Sequence, residues 1–182
     1  MFMVGIYQTI VCCQVLTLQK DTVIYHMTKS RKVVIGLVVF TVLVFIVEKT
    51  SVNRVRVSGE SMLPTLSHGQ KGLCNKFSLY FRTSSRGDII IYNDPTSENT
   101  LVVKRVIGIP GDSILIVNGK VFLNGRFLSE PYLPRYTYTY GDGEWFLGKN
   151  EYFALGDNRN NSMDCRDYGP INIKRIKGFF VP

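Results

Sequence analysis

Two regimes of apolar patterning follow one another along the chain. Residues 33–47 read VVIGLVVFTVLVFIV, an unbroken apolar run bounded by Lys32 and Glu48. As a helix, these 15 residues rise about 22 Å, against a hydrocarbon core of about 30 Å. A core helix is rarely apolar all round, and a buried strand is shorter. Residues 48–55, EKTSVNRV, offer no small-x-small cleavage site for a secretion signal. The reading left is a retained membrane anchor over residues 33–49, with Lys32 and Glu48 reaching back to the headgroups. Residues 1–26 begin MFMVGIYQTIVCCQVL, apolar but interrupted by Gln8 and Gln14. They read either as a second, weak membrane segment or as an upstream extension with the working start at Met27.

Beyond residue 50 the apolar positions come in short β-branched runs. Val52, Val55 and Val57 predict a strand, as do residues 88–92 (DIIIY), 101–107 (LVVKRVI), 152–155 and 176–181. Residues 114–128, ILIVNGKVFLNGRFL, hold Asn118-Gly119 and Asn124-Gly125 between hydrophobic runs. Asn-Gly is the strongest short hairpin signal, because both turn residues take positive φ. Residues 130–145, EPYLPRYTYTYGDGEW, read as an exposed excursion broken by prolines and glycines. The predicted fold is mostly β: an antiparallel sheet domain over residues 50–182 with a single N-terminal transmembrane helix at 33–49, preceded by a segment over 1–32.

Composition narrows the function. The net charge of +8 fits a solvated basic surface or attraction to anionic headgroups. The basic residues are spread along the chain with no nucleic-acid-binding signature, so nucleic acid is not an expected partner. Charge barely orients the anchor: Lys20, Lys29, Arg31 and Lys32 precede it, and Lys49, Arg54 and Arg56 follow. Cys12, Cys13, Cys74 and Cys165 form no C-x-x-C pair, which argues against structural zinc. Cys74 and Cys165 are expected as buried free thiols rather than a disulfide.

Candidate chemistry starts at Ser61, in a Gly-containing bend (SGESMLPT) directly after a predicted strand. A serine hydroxyl needs a base. Of the two histidines, His26 lies ahead of the anchor, and His68, in a polar turn close after Ser61, is the one candidate for a His-based triad. Lys104, in L-V-V-K-R-V-I, shares a strand face with Val102 and Val106. It is either a snorkelling residue on an edge strand or a buried base, since burial lowers a lysine pKa by up to about 3–5 units. A third cluster, residues 156–170 (GDNRNNSMDCRDYGP), gathers Asp157, Arg159, Asp164, Arg166 and Asp167, with Ser162 available to orient an amine.

Together these clusters resemble the type I signal peptidases. S-M-L-P-T is similar to the family's nucleophile motif, K-R-V-I-G-I-P-G-D to its lysine motif and G-D-N-R-N-N-S-M-D-C-R to its C-terminal motif. R-G-D-I-I-I-Y, residues 86–92, resembles the strand motif between the first two. The resemblance covers about residues 30–182. It implies Ser61 as nucleophile, Lys104 as general base and Ser162 as the residue orienting the lysine. Oxyanion stabilisation would come from the backbone around Gly59 and Ser61. Arg105 with Asp157, and Asp164 with Arg166, would be structural salt bridges, and Met62 would lie beside the substrate groove. Some family members carry a serine as second oxyanion donor where this chain has Gly59.

The implied activity is a membrane-bound serine endopeptidase that removes signal peptides from exported preproteins after small-x-small sites. It needs no metal and no organic cofactor. Implied surroundings are the phospholipid bilayer of the cell membrane and the export machinery, with a cytoplasmic N-terminus, an extracytoplasmic catalytic domain, and Phe77, Tyr80 and Phe81 near the bilayer. The rivals are a soluble, self-cleaving Ser–Lys repressor, disfavoured by residues 33–47, and a non-catalytic paralogue that binds exported chains, disfavoured by the presence of both Ser61 and Lys104.

Overall fold

The computed structural model describes residues 29–45, 52–97 and 100–182. The chain divides into two compact units, Met1–Lys49 and Thr50–Pro182. In the first, helix α1 covers residues 29–45, and every side chain along it is exposed. Ahead of the apolar run the described helix carries Lys29, Arg31 and Lys32. Among the described residues no helix is long and apolar enough to cross a membrane. The expected anchor at 33–49 therefore runs past the end of what is described. The expectations for residues 1–26, Met27 and His26 lie outside the described residues as well.

The second unit is mostly β and antiparallel. One sheet has seven strands in the order β1-β2-β11-β3-β4-β9-β10. These are β1 (Val52–Arg56), β2 (Lys71–Asn75), β3 (Ile89–Asn93), β4 (Leu101–Gly108), β9 (Glu151–Leu155), β10 (Ile171–Asn172) and β11 (Ile176–Val181). A second, four-stranded sheet runs β7-β6-β5-β8, from β5 (Ser113–Val117), β6 (Lys120–Leu123), β7 (Arg126–Phe127) and β8 (Gly143–Phe146). Both Asn-Gly turns form: Asn118 and Gly119 have φ of 50° and 74°, and Asn124 and Gly125 have 51° and 74°.

The larger core cluster joins both sheets through Ile90, Tyr92, Val106, Ile114, Ile116, Phe153 and Phe179. A smaller one gathers Val57, Met62, Leu66, Cys74, Ile91 and Phe180. Cys74 and Cys165 are free and buried. What matters for chemistry is the place of β4. It pairs with β3 on one side and β9 on the other, so Lys104 lies on a central strand, and the edge-strand reading is set aside. Ile90 is its partner on β3. On the other side Arg105 pairs with Leu155, which brings Lys104 next to the point where β9 gives way to the loop at Gly156.

Candidate active site

Three segments converge at the end of β9. The first is the Ser58–Gly69 loop, closed by Gly69 N–H donating to Val57 O at 2.8 Å and Val57 N–H to Gln70 O at 2.9 Å. Gly59 supplies the bend, with φ of 94°, a conformation that a side chain would strain. Its N–H donates to His68 Nδ1 at 3.0 Å. His68 is thus an exposed brace of the loop, turned to Gly59 and not to the Ser61 hydroxyl. Ser61 is half-buried, and its N–H has no hydrogen-bond partner among the described residues. Met62, expected beside a substrate groove, is 1 % exposed and packs in the smaller core cluster, next in the chain to Ser61.

The second segment is β4. Lys104 Nζ lies 2.7 Å from Ser61 Oγ, and Lys104 is 4 % exposed. Burial lowers its pKa, opposed by the negative charge of Asp164. A neutral amine at that distance can accept the hydroxyl proton. Next along the strand, Arg105 binds Asp157 in a fork: Nε to Oδ1 at 2.9 Å and Nη2 to Oδ2 at 2.6 Å. Asp157 also accepts from Thr65 Oγ1 at 2.5 Å, tying the nucleophile loop to β4. Both charges are largely buried, and breaking one half of such a pair costs about 3–5 kcal/mol.

The third segment is the 156–168 loop and helix α2 (Cys165–Tyr168). Asp164 caps that short helix in a capping box with Asp167 and binds Arg166 Nε at 2.8 Å. Its Oδ2 accepts from the Ser162 hydroxyl at 2.7 Å and from Gly156 N–H at 2.9 Å. Ser162, expected to orient Lys104, thus gives its proton to Asp164, while the bond that the amine makes is to Ser61. Asn158 N–H donates to Ser61 O at 3.0 Å, joining this loop to the first. The Tyr92 and Tyr168 hydroxyls bond each other beneath the helix. Within the helix, burial pushes the Cys165 thiol up to about 12.

Several participants carried no signal of their own in the sequence. Gly156 is the tightest: a Cβ there would sit 2.2 Å from Ser162 Oγ and 2.5 Å from Ser61 O. Thr65, Asn158, Thr139 and Glu130 are ordinary loop residues whose roles arise from contacts far along the chain. Among the described residues no group of His, Cys, Asp and Glu could hold a metal ion.

The signal peptidase, peptidase S26, family model matches residues 30–181. The chain is 37% identical over 136 residues to signal peptidase I V of Bacillus subtilis strain 168, covering 68% of this chain and 80% of that protein. It is 38% identical over 153 residues to signal peptidase I P of Bacillus subtilis subsp. natto, covering 79% and 82%. A crystal structure of a signal peptidase I from Enterococcus faecalis V583 aligns at 27% identity and a TM-score of 0.48, over 54% of this chain and 97% of that one.

Proposed function

Because the chain belongs to the signal peptidase family, peptidase S26, we propose that it removes signal peptides from exported preproteins by Ser–Lys chemistry at the cell membrane. It is a signal peptidase I-type hydrolase. The observation that carries the mechanism is the buried amine 2.7 Å from a half-buried hydroxyl. Lys104 takes the Ser61 proton as Oγ attacks the scissile carbonyl. The Ser61 N–H, without a partner among the described residues, donates to the developing oxyanion, an interaction of a kind worth about 2.7–4 kcal/mol. Lys104 then passes the proton to the leaving amine of the mature protein. Water, deprotonated by the same amine, hydrolyses the acyl-enzyme and frees the signal peptide carboxylate. Ser162 and Asp164 hold the amine's surroundings, and the Arg105–Asp157 pair holds β4 against the nucleophile loop.

The cut would follow small residues at the positions one and three before it, a preference that shallow apolar pockets would impose. Two features favour a site at the bilayer surface. Within α1 the apolar side chains are exposed together, and in the second unit Phe77, Tyr80 and Phe81 are exposed around a 3-10 turn. The anchor would place the N-terminus in the cytoplasm and residues 50–182 outside, beside the export machinery.

The test is cleavage of a preprotein with an Ala-x-Ala site by detergent-solubilised full-length chain. Cleavage at that site should vanish in Ser61→Ala and in Lys104→Ala. Full activity in Lys104→Ala would overturn the lysine mechanism.

A further inference from the structure

Arg159 has no part in the chemistry above, yet its side chain is 0% exposed. Its Nε donates to Gly156 O at 3.1 Å and its Nη1 to Thr139 Oγ1 at 2.8 Å and Glu130 Oε2 at 2.9 Å. Its Nη2 donates to Glu130 Oε1. A buried guanidinium persists only when its charge is matched, and Glu130, 29 residues away along the chain, supplies the match. The same carboxylate accepts from the Tyr132 hydroxyl at 2.5 Å. The Tyr132 ring in turn lies 3.9 Å from the Arg105 guanidinium.

The Glu130-Pro131-Tyr132 turn therefore grips two arginines. Arg105 is the chain neighbour of Lys104. Arg159 holds the carbonyl of Gly156, the residue pressed against Ser61 and Ser162. With its N–H on Asp164 and its carbonyl on Arg159, Gly156 is fastened on both sides by charged side chains.

We propose that Glu130 is a positioning residue for the Ser61–Lys104 pair, acting through Arg159 on Gly156 and through Tyr132 on Arg105. This rests on the Ser–Lys reading above. Glu130 touches no reacting atom; it sets where those atoms stand. Without its charge Arg159 must swing out or draw water in, and either outcome loosens Gly156 and wets the amine. The groups acting on that amine are the Ser61 hydroxyl, Asp164, Arg166, Asp94 and Cys165. Neutralising Glu130 removes none of these charges, although Asp164 and Arg166 are bonded to Gly156 and Arg159. Hydration of the loosened site would then move Lys104 back towards its ordinary titration, and the rising limb of the pH–rate profile would follow it upwards.

The experiment measures kcat and KM against pH on an Ala-x-Ala preprotein, using full-length wild type, Glu130→Gln and Tyr132→Phe, with Lys104→Ala alongside and thermal midpoints recorded. Glu130→Gln should lose on the order of tenfold or more in kcat near neutral pH with KM little changed, as expected for a misplaced reacting pair. Its rising limb should move to higher pH. Tyr132→Phe removes only the hydroxyl and leaves the ring under Arg105, so it should fold and shift the limb less, with the same sign. A purely structural role lowers the thermal midpoint and leaves the limb in place, and that result overturns the proposal. If Glu130→Gln fails to fold, the Tyr132→Phe limb decides alone. Full activity in Lys104→Ala removes the premise and the proposal with it; an inactive Lys104→Ala with unmoved limbs overturns the proposal only.

Discussion

Lys104 pairs with Ile90 on β3 and lies just past the end of the β4–β9 pairing, and burial holds its amine below its ordinary pKa of 10.5. Between the lowered folded pKa and 10.5 the unfolded chain binds the proton that the folded chain has released. Unfolding takes up a proton there, so stability rises with pH across that window and levels off above it. The slope is at most about 1.4 kcal/mol per pH unit. Lys104→Met should accordingly be more stable than wild type near neutral pH, with the gap closing as pH approaches 10.5. Urea denaturation at a series of pH values measures it, and a gap that widens with pH would contradict a depressed amine. Gly156 makes a second prediction at this scale. Gly156→Ala puts a methyl group within 2.5 Å of Ser61 O and Ser162 Oγ. Overpacking of this sort costs about 1–3 kcal/mol, and a displacement of about 1 Å in the reacting pair costs on the order of a hundredfold in rate. Steady-state rates on folded protein check this; a fully active Gly156→Ala enzyme would show that the close approach has no bearing on the pair. Ser61 and Lys104 were legible because their signals are local, a bend after a strand and a lysine among valines.

The elements announced by turn chemistry were read correctly, since Asn-Gly states its own backbone requirement. The 118–119 turn does more than reverse the chain. Gly119 O accepts from Thr139 N–H at 3.0 Å, and the Tyr138 ring lies 2.3 Å from where a Gly119 Cβ would be. Gly119→Ala combines a positive φ of 74° with that clash. It should destabilise by about 1–3 kcal/mol, a fall in Tm of several degrees, seen by thermal melting; an unchanged Tm would mean that hairpin and excursion are uncoupled. Three strands were missed: β2, β8 and the two-residue β10. β2 reads KGLCN and β8 reads GEWF, each short and opening with or containing glycine, so propensity is silent. They become strands because β1, β11 and β5 offer partners. Residues 130–145 read as an exposed excursion for the same reason. Exposure dominates the stretch, and nothing local marks Glu130 and Thr139 as the residues that reach Arg159.

At the scale of the molecule, the outstanding physical problem is the surface of α1. Between residues 33 and 45 the large apolar side chains stand exposed on every side of the helix, well beyond the apolar patches that soluble proteins leave uncovered. A helix apolar all round needs an apolar surrounding on every face, and lipid supplies that without a protein partner. Lys29, Arg31 and Lys32, ahead of the apolar run, suit contact with anionic headgroups, each contributing about 1 kcal/mol. If α1 and the residues after it span the bilayer, the chain should stay in the membrane pellet after an alkaline carbonate wash, which strips proteins held only at the surface. Charges placed mid-helix should reverse this. Val39→Asp with Leu43→Asp costs about 2.5–3.5 kcal/mol per residue at the bilayer centre, enough to turn a short span into a non-inserting segment, and the variant should appear in the supernatant. A wild-type chain released by carbonate would show that α1 only lies on the surface. The 15-residue apolar run would then be too short to span, the site would be held near the bilayer by surface contact alone, and added salt should detach it.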